Sequence, residues 1–132
     1  MHHVVCGALV HGGRVLLGHR TAGRRWYPDV WDLPGGHVEA GESELDALRR
    51  ELGEELGVTA IAVDPEPIAR LAGDDLRLGV WRVRAWAGRP VNRVPAEHDE
   101  LRWVTAGELS DLPLADARYV DLRRGLLTYP AR

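Results

Sequence analysis

The sequence contains no lysine and no phenylalanine, and it has a single cysteine, Cys6, among its 132 residues. Without lysine the chain has neither the phosphate-binding lysine of a P-loop nor an amine for Schiff-base chemistry. One cysteine cannot form an internal disulfide, which is typical of a protein in a reducing cytosol. All 17 basic residues are therefore arginine, a composition typical of a high-GC bacterial genome.

Long apolar runs are also lacking. No stretch approaches the ~18 residues of a membrane-spanning helix, and no charged-then-apolar leader opens the chain. We therefore expect a cytoplasmic protein with no membrane partner. The formal net charge of −3 argues against a nucleic-acid polymer as partner, because such a partner requires a basic face. The length is typical of one soluble domain, and we expect residues 1–132 to form it.

The stretch 36–58 is the most informative part of the sequence. Ser43 is a helix N-cap residue, and Gly57 stands where a left-handed residue would end the helix. Between them, leucines recur at helical spacing and predict one apolar stripe: Leu45, Leu48, Leu52 and Leu56. An amphipathic helix is therefore predicted between Ser43 and Gly57.

Three acids of this helix share one face, namely Glu51, Glu54 and Glu55. Like charges at this spacing destabilise a helix by roughly 0.2–0.5 kcal/mol per pair, and Arg50 cannot neutralise all three. A hard divalent cation would do so, because carboxylate oxygens are the ligands that Mg²⁺ prefers. A solvated acidic face is the alternative interpretation.

The complete spacing of the stretch favours the metal site. It resembles the Nudix box with every defined position filled: Gly36, five residues, Glu42, seven residues, Arg50-Glu51-Leu52, one residue, Glu54-Glu55, one residue, Gly57-Val58. By this resemblance the chain is identified as a Nudix hydrolase. Such enzymes are similar in using Mg²⁺ or Mn²⁺ to cleave a diphosphate linkage in a nucleoside diphosphate joined to another group.

The resemblance implies an α/β fold, the Nudix-type α/β/α sandwich with a mixed β-sheet. The order of elements read from hydrophobic patterns and turn residues agrees with it. We predict a hairpin of 4–10 and 14–19, strands at 30–33, 60–63, 68–71, 76–87 and 101–104, a brief helix after Thr105, and a terminal helix over 114–127. Gly79 predicts a bulge in the long strand.

Hydrolysis of a diphosphate requires charge neutralisation, an activated water and stabilisation of the leaving phosphate. Glu51 and Glu55, one turn apart, are the predicted metal ligands. Glu54 is predicted as a further ligand or as the base that orients the water. The family resemblance adds the backbone carbonyl of Gly36 to the ligand set.

Two pairs of residues are predicted to support these ligands. Glu42 and Arg50 form a structural salt bridge between the loop and the helix in our interpretation. Family members often take a further acid from a later loop, and the segment 96–103 resembles the one that supplies it. We favour Glu100 as this catalytic acid over Glu97, because Glu100 immediately precedes a predicted strand. Both acids could instead be solvated.

Substrate phosphates require cations outside the box. Arg20 stands where family members often carry a basic residue, and with Arg24 and Arg25 it forms the densest basic cluster outside the helix. Arginine binds phosphate with two parallel hydrogen bonds. His37 is a candidate for contact with phosphate or base, or for pairing with a nearby acid. Trp26 is a candidate for stacking on a base.

The function expected from these residues is a Mg²⁺- or Mn²⁺-dependent hydrolase of a small-molecule nucleotide. A modified or oxidised nucleoside triphosphate such as 8-oxo-dGTP, cleaved to the monophosphate and pyrophosphate, is our first choice. The chain is little larger than a minimal domain and has no extra region for a bulky second half. An ADP-ribose or nucleotide-sugar pyrophosphatase and a catalytically silent nucleotide-binding module are the alternatives. The oligomeric state stays open, with a homodimer as one option.

Overall fold

The computed structural model describes residues 1–122. In chain order its elements are β1 (His2–His11), β2 (Arg14–Arg20), β3 (Trp31–Asp32), β4 (Gly35–His37), α1 (Glu44–Leu56), β5 (Thr59–Val63), β6 (Ala69–Gly73), β7 (Leu76–Ala87), β8 (His98–Val104), α2 (Ala106–Asp111) and a 3₁₀ helix (Ala117–Leu122). No helix of this described part is long and apolar enough to cross a membrane.

The strands form one mixed sheet of eight strands. Strand β1 pairs in parallel with β7 along its length, and its other edge pairs antiparallel with β4 and then with β2. The far edge of β7 pairs with β6 and β5, and β2 pairs with β3 and β8. The parallel β1–β7 pair beside antiparallel ladders makes the sheet mixed, as predicted.

Helices cover both faces of this sheet. The leucine stripe of α1 packs on one face, where Leu48 and Leu52 are fully buried with Val5 of β1. On the other face, Leu109 of α2 and Tyr119 of the 3₁₀ helix pack in the same cluster as the strand residues. The predicted α/β/α sandwich is therefore confirmed.

The predicted ends of α1 are also confirmed. The Ser43 hydroxyl accepts a hydrogen bond from the Asp46 backbone N–H at 3.1 Å. Gly57 ends the helix in the left-handed region with φ of 70°, a conformation that glycine adopts without steric cost.

Three local predictions were wrong. The segment after the predicted strand 30–33 is itself a strand, β4. It was not predicted, because its two glycines give it no hydrophobic pattern. Gly79 is no bulge: its register with β1 and β6 is regular, and the run of six buried residues in β7 reflects a strand covered on both faces.

The terminal helix does not begin at Leu114. The backbone of 113–115 pairs instead with Trp31, whose N–H donates to the Pro113 carbonyl and whose carbonyl accepts from the Ala115 N–H, both at 2.8 Å. Residues 123–127 of that predicted helix lie outside the described residues.

Candidate active site

Strand β4 lies beside α1 and brings three of the predicted metal ligands together. A Cβ atom at Gly36 would lie only 2.5 Å from the carboxyl carbon of Glu51, so the carboxylate packs directly on this glycine. The neighbouring Gly35 donates its N–H to Glu55 Oε1 at 2.9 Å. A side chain at Gly35 would collide with the Val5 backbone of β1. The two glycines therefore allow β4 to approach both the sheet and the two acids.

Arg50 links the loop before α1 to the acids of the helix. Its Nε and Nη2 donate to the two carboxylate oxygens of Glu42 at 2.7 and 3.0 Å. Its Nη1 donates to Glu51 at 2.9 Å and to Glu54 at 3.4 Å, and Nη2 also reaches the His37 carbonyl at 3.0 Å. The hydrogen bonds from Arg50 lower the pKa of Glu42 to about 2. One guanidinium thus orients the loop and one predicted ligand together.

Glu51 and Glu55 both have a raised pKa in this site. Glu55 is 6% exposed, and burial, followed by the nearby charge of Glu51, raises its pKa to about 8. Burial also raises the pKa of Glu51, against the opposing effect of Arg50. A buried carboxyl of this kind is disfavoured as an anion unless a cation accompanies it. Glu54 differs, because its side chain is 58% exposed and lies at the rim.

A third segment reaches the same place from the turn before β8. Single ligand atoms of Glu55, Glu97 and His98 all lie within 4.8 Å of one another. The backbone N–H groups of Glu97 and His98 both donate to the Val94 carbonyl, which fixes this turn. Glu97 is exposed and His98 is buried against Gly18, where a Cβ atom would lie 2.9 Å from the imidazole. We call Glu51, Glu55, Glu97 and His98 the acidic cluster.

His98 is a site residue that the sequence analysis missed. Burial, with the charges of Arg24 and Arg20, lowers its pKa to about 4, so the imidazole is neutral at pH 7 and a ring nitrogen can serve as ligand or acceptor. A histidine among loop acids gives no sequence signal of burial. Only its pairing opposite Arg20 of β2 places it inside.

Glu100, which we favoured over Glu97 as the later acid, is paired with a neighbouring arginine. Its carboxylate accepts hydrogen bonds from Arg102 Nη2 at 3.0 Å and Nε at 3.2 Å. Leu101 and Trp103 pack on the α1 side of the sheet, and alternation along a strand sends Glu100 and Arg102 to the opposite side. The register shift against His19 and Arg20 interrupts that alternation at Asp99. Glu97, and not Glu100, therefore accompanies the box helix.

Arg20 does not extend toward the acidic cluster as a free cation. Its Nε donates to the Tyr27 carbonyl at 2.9 Å, its Nη2 donates to the Trp26 carbonyl at 2.7 Å, and its Nη1 lies 3.7 Å from Asp32. These bonds hold the loop 21–29 against the sheet.

The remaining candidates for substrate contact are Arg24, Arg25, Trp26 and His37. Arg24 is half-buried, and after burial its charge is the next cause of the lowered pKa of His98. Arg25 lies over the exposed ring of Trp26, 5.2 Å from its centroid. His37 is exposed, and a ring nitrogen lies 3.1 Å from one of His2.

Comparisons with known proteins identify the family. The family model described as the NUDIX domain matches residues 1–124. A Mycobacterium tuberculosis protein with the provisional name 8-oxo-dGTP diphosphatase 2 is 42% identical over 120 residues, covering 83% of this chain and 77% of that protein. The CTP pyrophosphohydrolase of Escherichia coli is 34% identical over 121 residues, covering 89% and 85%.

Solved structures share the fold over nearly the whole chain. The E. coli ORF135 protein superposes with a TM-score of 0.79 at 32% identity, covering 97% of this chain and 89% of that one. The MutT NUDIX hydrolase from Burkholderia pseudomallei gives a TM-score of 0.78 at 28% identity, covering 92% and 95%. With the family model, the relatives and the box geometry in agreement, this chain belongs to the Nudix family and is a Nudix hydrolase.

Proposed function

We propose that this Nudix hydrolase cleaves a modified or oxidised nucleoside triphosphate to the monophosphate and pyrophosphate, with Mg²⁺ or Mn²⁺ as cofactor. The observation that carries the proposal is that strand β4 contacts Glu51 at Gly36 and Glu55 at Gly35, while Glu97 of a separate segment lies within 4.8 Å of Glu55. Among the described residues the ion pair of Arg50 with Glu51 leaves Glu55 and Glu97 without a salt-bridge partner, and such a cluster suits a cation that also binds phosphate.

The donor set fits a hard divalent cation. Carboxylate oxygens dominate it, and these oxygens together with a backbone carbonyl at Gly36 are the ligands that Mg²⁺ and Mn²⁺ accept. The raised pKa of buried Glu55 has the sign expected of a ligand carboxyl without its ion. When bound, the ion would neutralise phosphate charge and lower the pKa of a bound water. Glu51, Glu55 and Glu97 are the proposed side-chain ligands.

The protein's own groups would then direct the water. Attack on the α- or β-phosphorus forms one P–O bond and breaks the α–β bridging P–O bond, which releases monophosphate and pyrophosphate. The proton of the attacking water passes to a carboxylate. Glu97 and Glu54 are the exposed acids beside the buried pair, and we propose them as the groups that orient this water. Arg50 keeps the loop and Glu51 in place through its four acceptors.

Two observations support a nucleoside triphosphate as the substrate. The relatives named above carry names for the hydrolysis of 8-oxo-dGTP and CTP. The loop 21–29 begins beside Glu97, whose carbonyl accepts a hydrogen bond from the Thr21 backbone N–H at 3.1 Å, and it carries Arg24 as a candidate for a phosphate and the exposed ring of Trp26 as a candidate for a base. Stacking on such a ring stabilises a bound base by about 1–3 kcal/mol.

The test is a panel of nucleotides with product identification. Purified protein with Mg²⁺ is incubated with normal and oxidised nucleoside triphosphates, ADP-ribose and nucleotide sugars, and the products are separated. We expect the highest kcat/KM for a triphosphate and equal amounts of monophosphate and pyrophosphate. Glu54→Gln is the inactive control, and activity must disappear on chelation and return with Mg²⁺ or Mn²⁺. Preferred turnover of ADP-ribose, or release of inorganic phosphate alone, would overturn the assignment.

A further inference from the structure

A second concave surface lies on the α1 side of the sheet. This groove has a volume of about 320 Å³ and separates the first turn of α1 from strand β6. Its charged and polar lining is His3, Glu44, Arg70 and Arg77. Glu44 and Glu55 belong to the first and last turns of α1, which the helical rise of ~1.5 Å per residue separates by roughly 16 Å. The groove is therefore separate from the acidic cluster.

The single carboxylate in the lining is turned inward and fully engaged. Glu44 accepts hydrogen bonds from His3 Nε2 at 2.7 Å, from Arg70 Nη1 at 2.7 Å and from the indole N–H of Trp81 at 2.9 Å. Its side chain is 12% exposed. These bonds compensate the negative charge of Glu44 and hold the neighbouring donors in place. The open face of the groove is therefore positive, because its other charged side chains are arginines.

Arg77 supplies the cation that this network leaves available. It is exposed, and its Nη2 reaches His3 Nδ1 at 3.5 Å. Within residues 1–122 its guanidinium has no carboxylate partner. The imidazole of His3 donates to Glu44 through Nε2 and presents Nδ1 to Arg77. Because Arg70 binds the same Glu44, both arginines belong to one network. A guanidinium fork without a carboxylate matches the oxygens of a phosphate.

We propose that this groove is a second anion site that binds a small phosphate anion, inorganic phosphate or pyrophosphate, through Arg77 and Arg70. Its volume lies at the lower end of the range for ligand pockets. The apolar residues of the lining are Leu71, Ala72 and Leu78, and its one aromatic ring, the imidazole of His3, is engaged by Glu44 and Arg77. The lining thus favours a compact, highly charged ligand over a nucleoside. The inference does not depend on the reaction proposed for the acidic cluster.

The indole N–H of Trp81 gives a direct reporter, because it donates to Glu44 inside the network. The ¹H–¹⁵N cross-peak, assigned by its loss in Trp81→Phe, is followed in metal-free protein at constant ionic strength. Pyrophosphate, inorganic phosphate, AMP and sodium chloride are titrated separately. We expect a saturable shift with pyrophosphate or phosphate and none with chloride. A shift that saturates with AMP alone, or that rises linearly with every salt, would overturn the proposal.

Variants separate this site from the rest of the molecule. Arg77→Gln should weaken the apparent affinity at least tenfold, while Arg49→Gln, an exposed arginine of α1, should leave it unchanged. Arg77→Lys keeps the charge but loses the fork, and it should fall between them. Dispersed amide spectra confirm that each variant is folded. Equal affinity in Arg77→Gln, Arg77→Lys and the unsubstituted protein would place the anion elsewhere and end the proposal.

Discussion

Glu97 lies beside Glu55, with a carboxylate oxygen of each within 4.8 Å of the other. Glu97 is exposed and precedes β8, whereas Glu55 is buried in the last turn of α1. Burial and the charge of Glu51 raise the pKa of Glu55, and the charge of Glu97 adds to the same shift. Repulsion of this kind destabilises the ionised pair in the free protein, whereas a divalent cation between the two carboxylates would bind both. We therefore expect this pair to link metal binding to stability.

Separate substitution of Glu97 and Glu100 tests which of these acids takes part in hydrolysis. Glu97→Gln should lower kcat by about 10²–10³-fold, as loss of a group acting in the transition state does. Glu100→Gln is the matched control and should retain kcat within about threefold, because its carboxylate is paired with Arg102 on the other side of the sheet. Steady-state kinetics with the best substrate measures both. Severe loss in Glu100→Gln with a normal Glu97→Gln would restore the original preference.

The metal-free protein should lose stability as the pH rises through the range of Glu55. The folded-state pKa of about 8 lies above the ordinary value of 4.5, so the folded protein binds the proton more tightly than the unfolded chain between these limits. Stability is then highest below pH 4.5 for this group and falls as the pH approaches 8.

Thermal unfolding from pH 5 to 8.5, with and without Mg²⁺, measures this effect. Saturating Mg²⁺ should raise Tm most at the upper end of the range, because it binds the ionised carboxylates of the folded state. Glu55→Gln should flatten the pH dependence and reduce the gain from Mg²⁺. A Tm that is independent of Mg²⁺ throughout the range would count against a preformed site.

Gly36→Ala should impair the site while the fold survives. The new methyl group would meet the carboxyl of Glu51 at about the 2.5 Å separation found for a Cβ atom there, so that side chain must move. We expect kcat to fall by about tenfold or more, since a ligand is misplaced. Gly23→Ala, where nothing lies within 4 Å, is the control. Equal activity of the two variants would show that the contact with Glu51 has no catalytic consequence.

Arg50→Lys should damage the site, although it keeps the charge. A lysine cannot reproduce the two parallel bonds to Glu42 and the further bonds to Glu51 and the His37 carbonyl. We expect a Tm lower by about 2–6 °C and a kcat about tenfold lower. Arg49→Lys, at the neighbouring exposed position, is the control for general effects on α1. If both variants behaved alike, Arg50 would be acting only through its charge.

His19→Gln tests the attachment of the loop 21–29. In the unsubstituted protein, Nε2 of His19 lies 3.0 Å from Asp29 of that loop, and Nδ1 lies 2.7 Å from Asp99 beside the acidic cluster. Gln can replace only one of these contacts. KM should therefore rise by about tenfold with kcat changed less than about threefold, because the loop carries proposed substrate contacts and no metal ligand. A fall in kcat at constant KM would indicate a role in the chemical step instead.

Local sequence determined much of this molecule. Ser43, Gly57 and the leucine stripe defined α1, because capping and helical periodicity depend on neighbours within one or two turns. Four-residue spacing placed Glu51 and Glu55 on one face for the same reason. The box spacing predicted the family and, through it, the sandwich, both of which are confirmed. The strands with clear alternation or long apolar runs were also found, with ends shifted by a few residues.

Tertiary structure decided which distant residues meet. Glu97 reaches Glu55 and Glu100 does not, because burial of Leu101 and Trp103 against α1 fixes the two sides of β8 and a register shift at Asp99 interrupts the alternation. His98 becomes a buried, neutral imidazole only through its packing against β2. Strand β4 exists because β1 pairs with it, and Arg20 turns to the loop carbonyls because the fold supplies them there. Side-chain direction across a sheet follows from pairing between segments far apart in the chain, and no local pattern encodes that pairing.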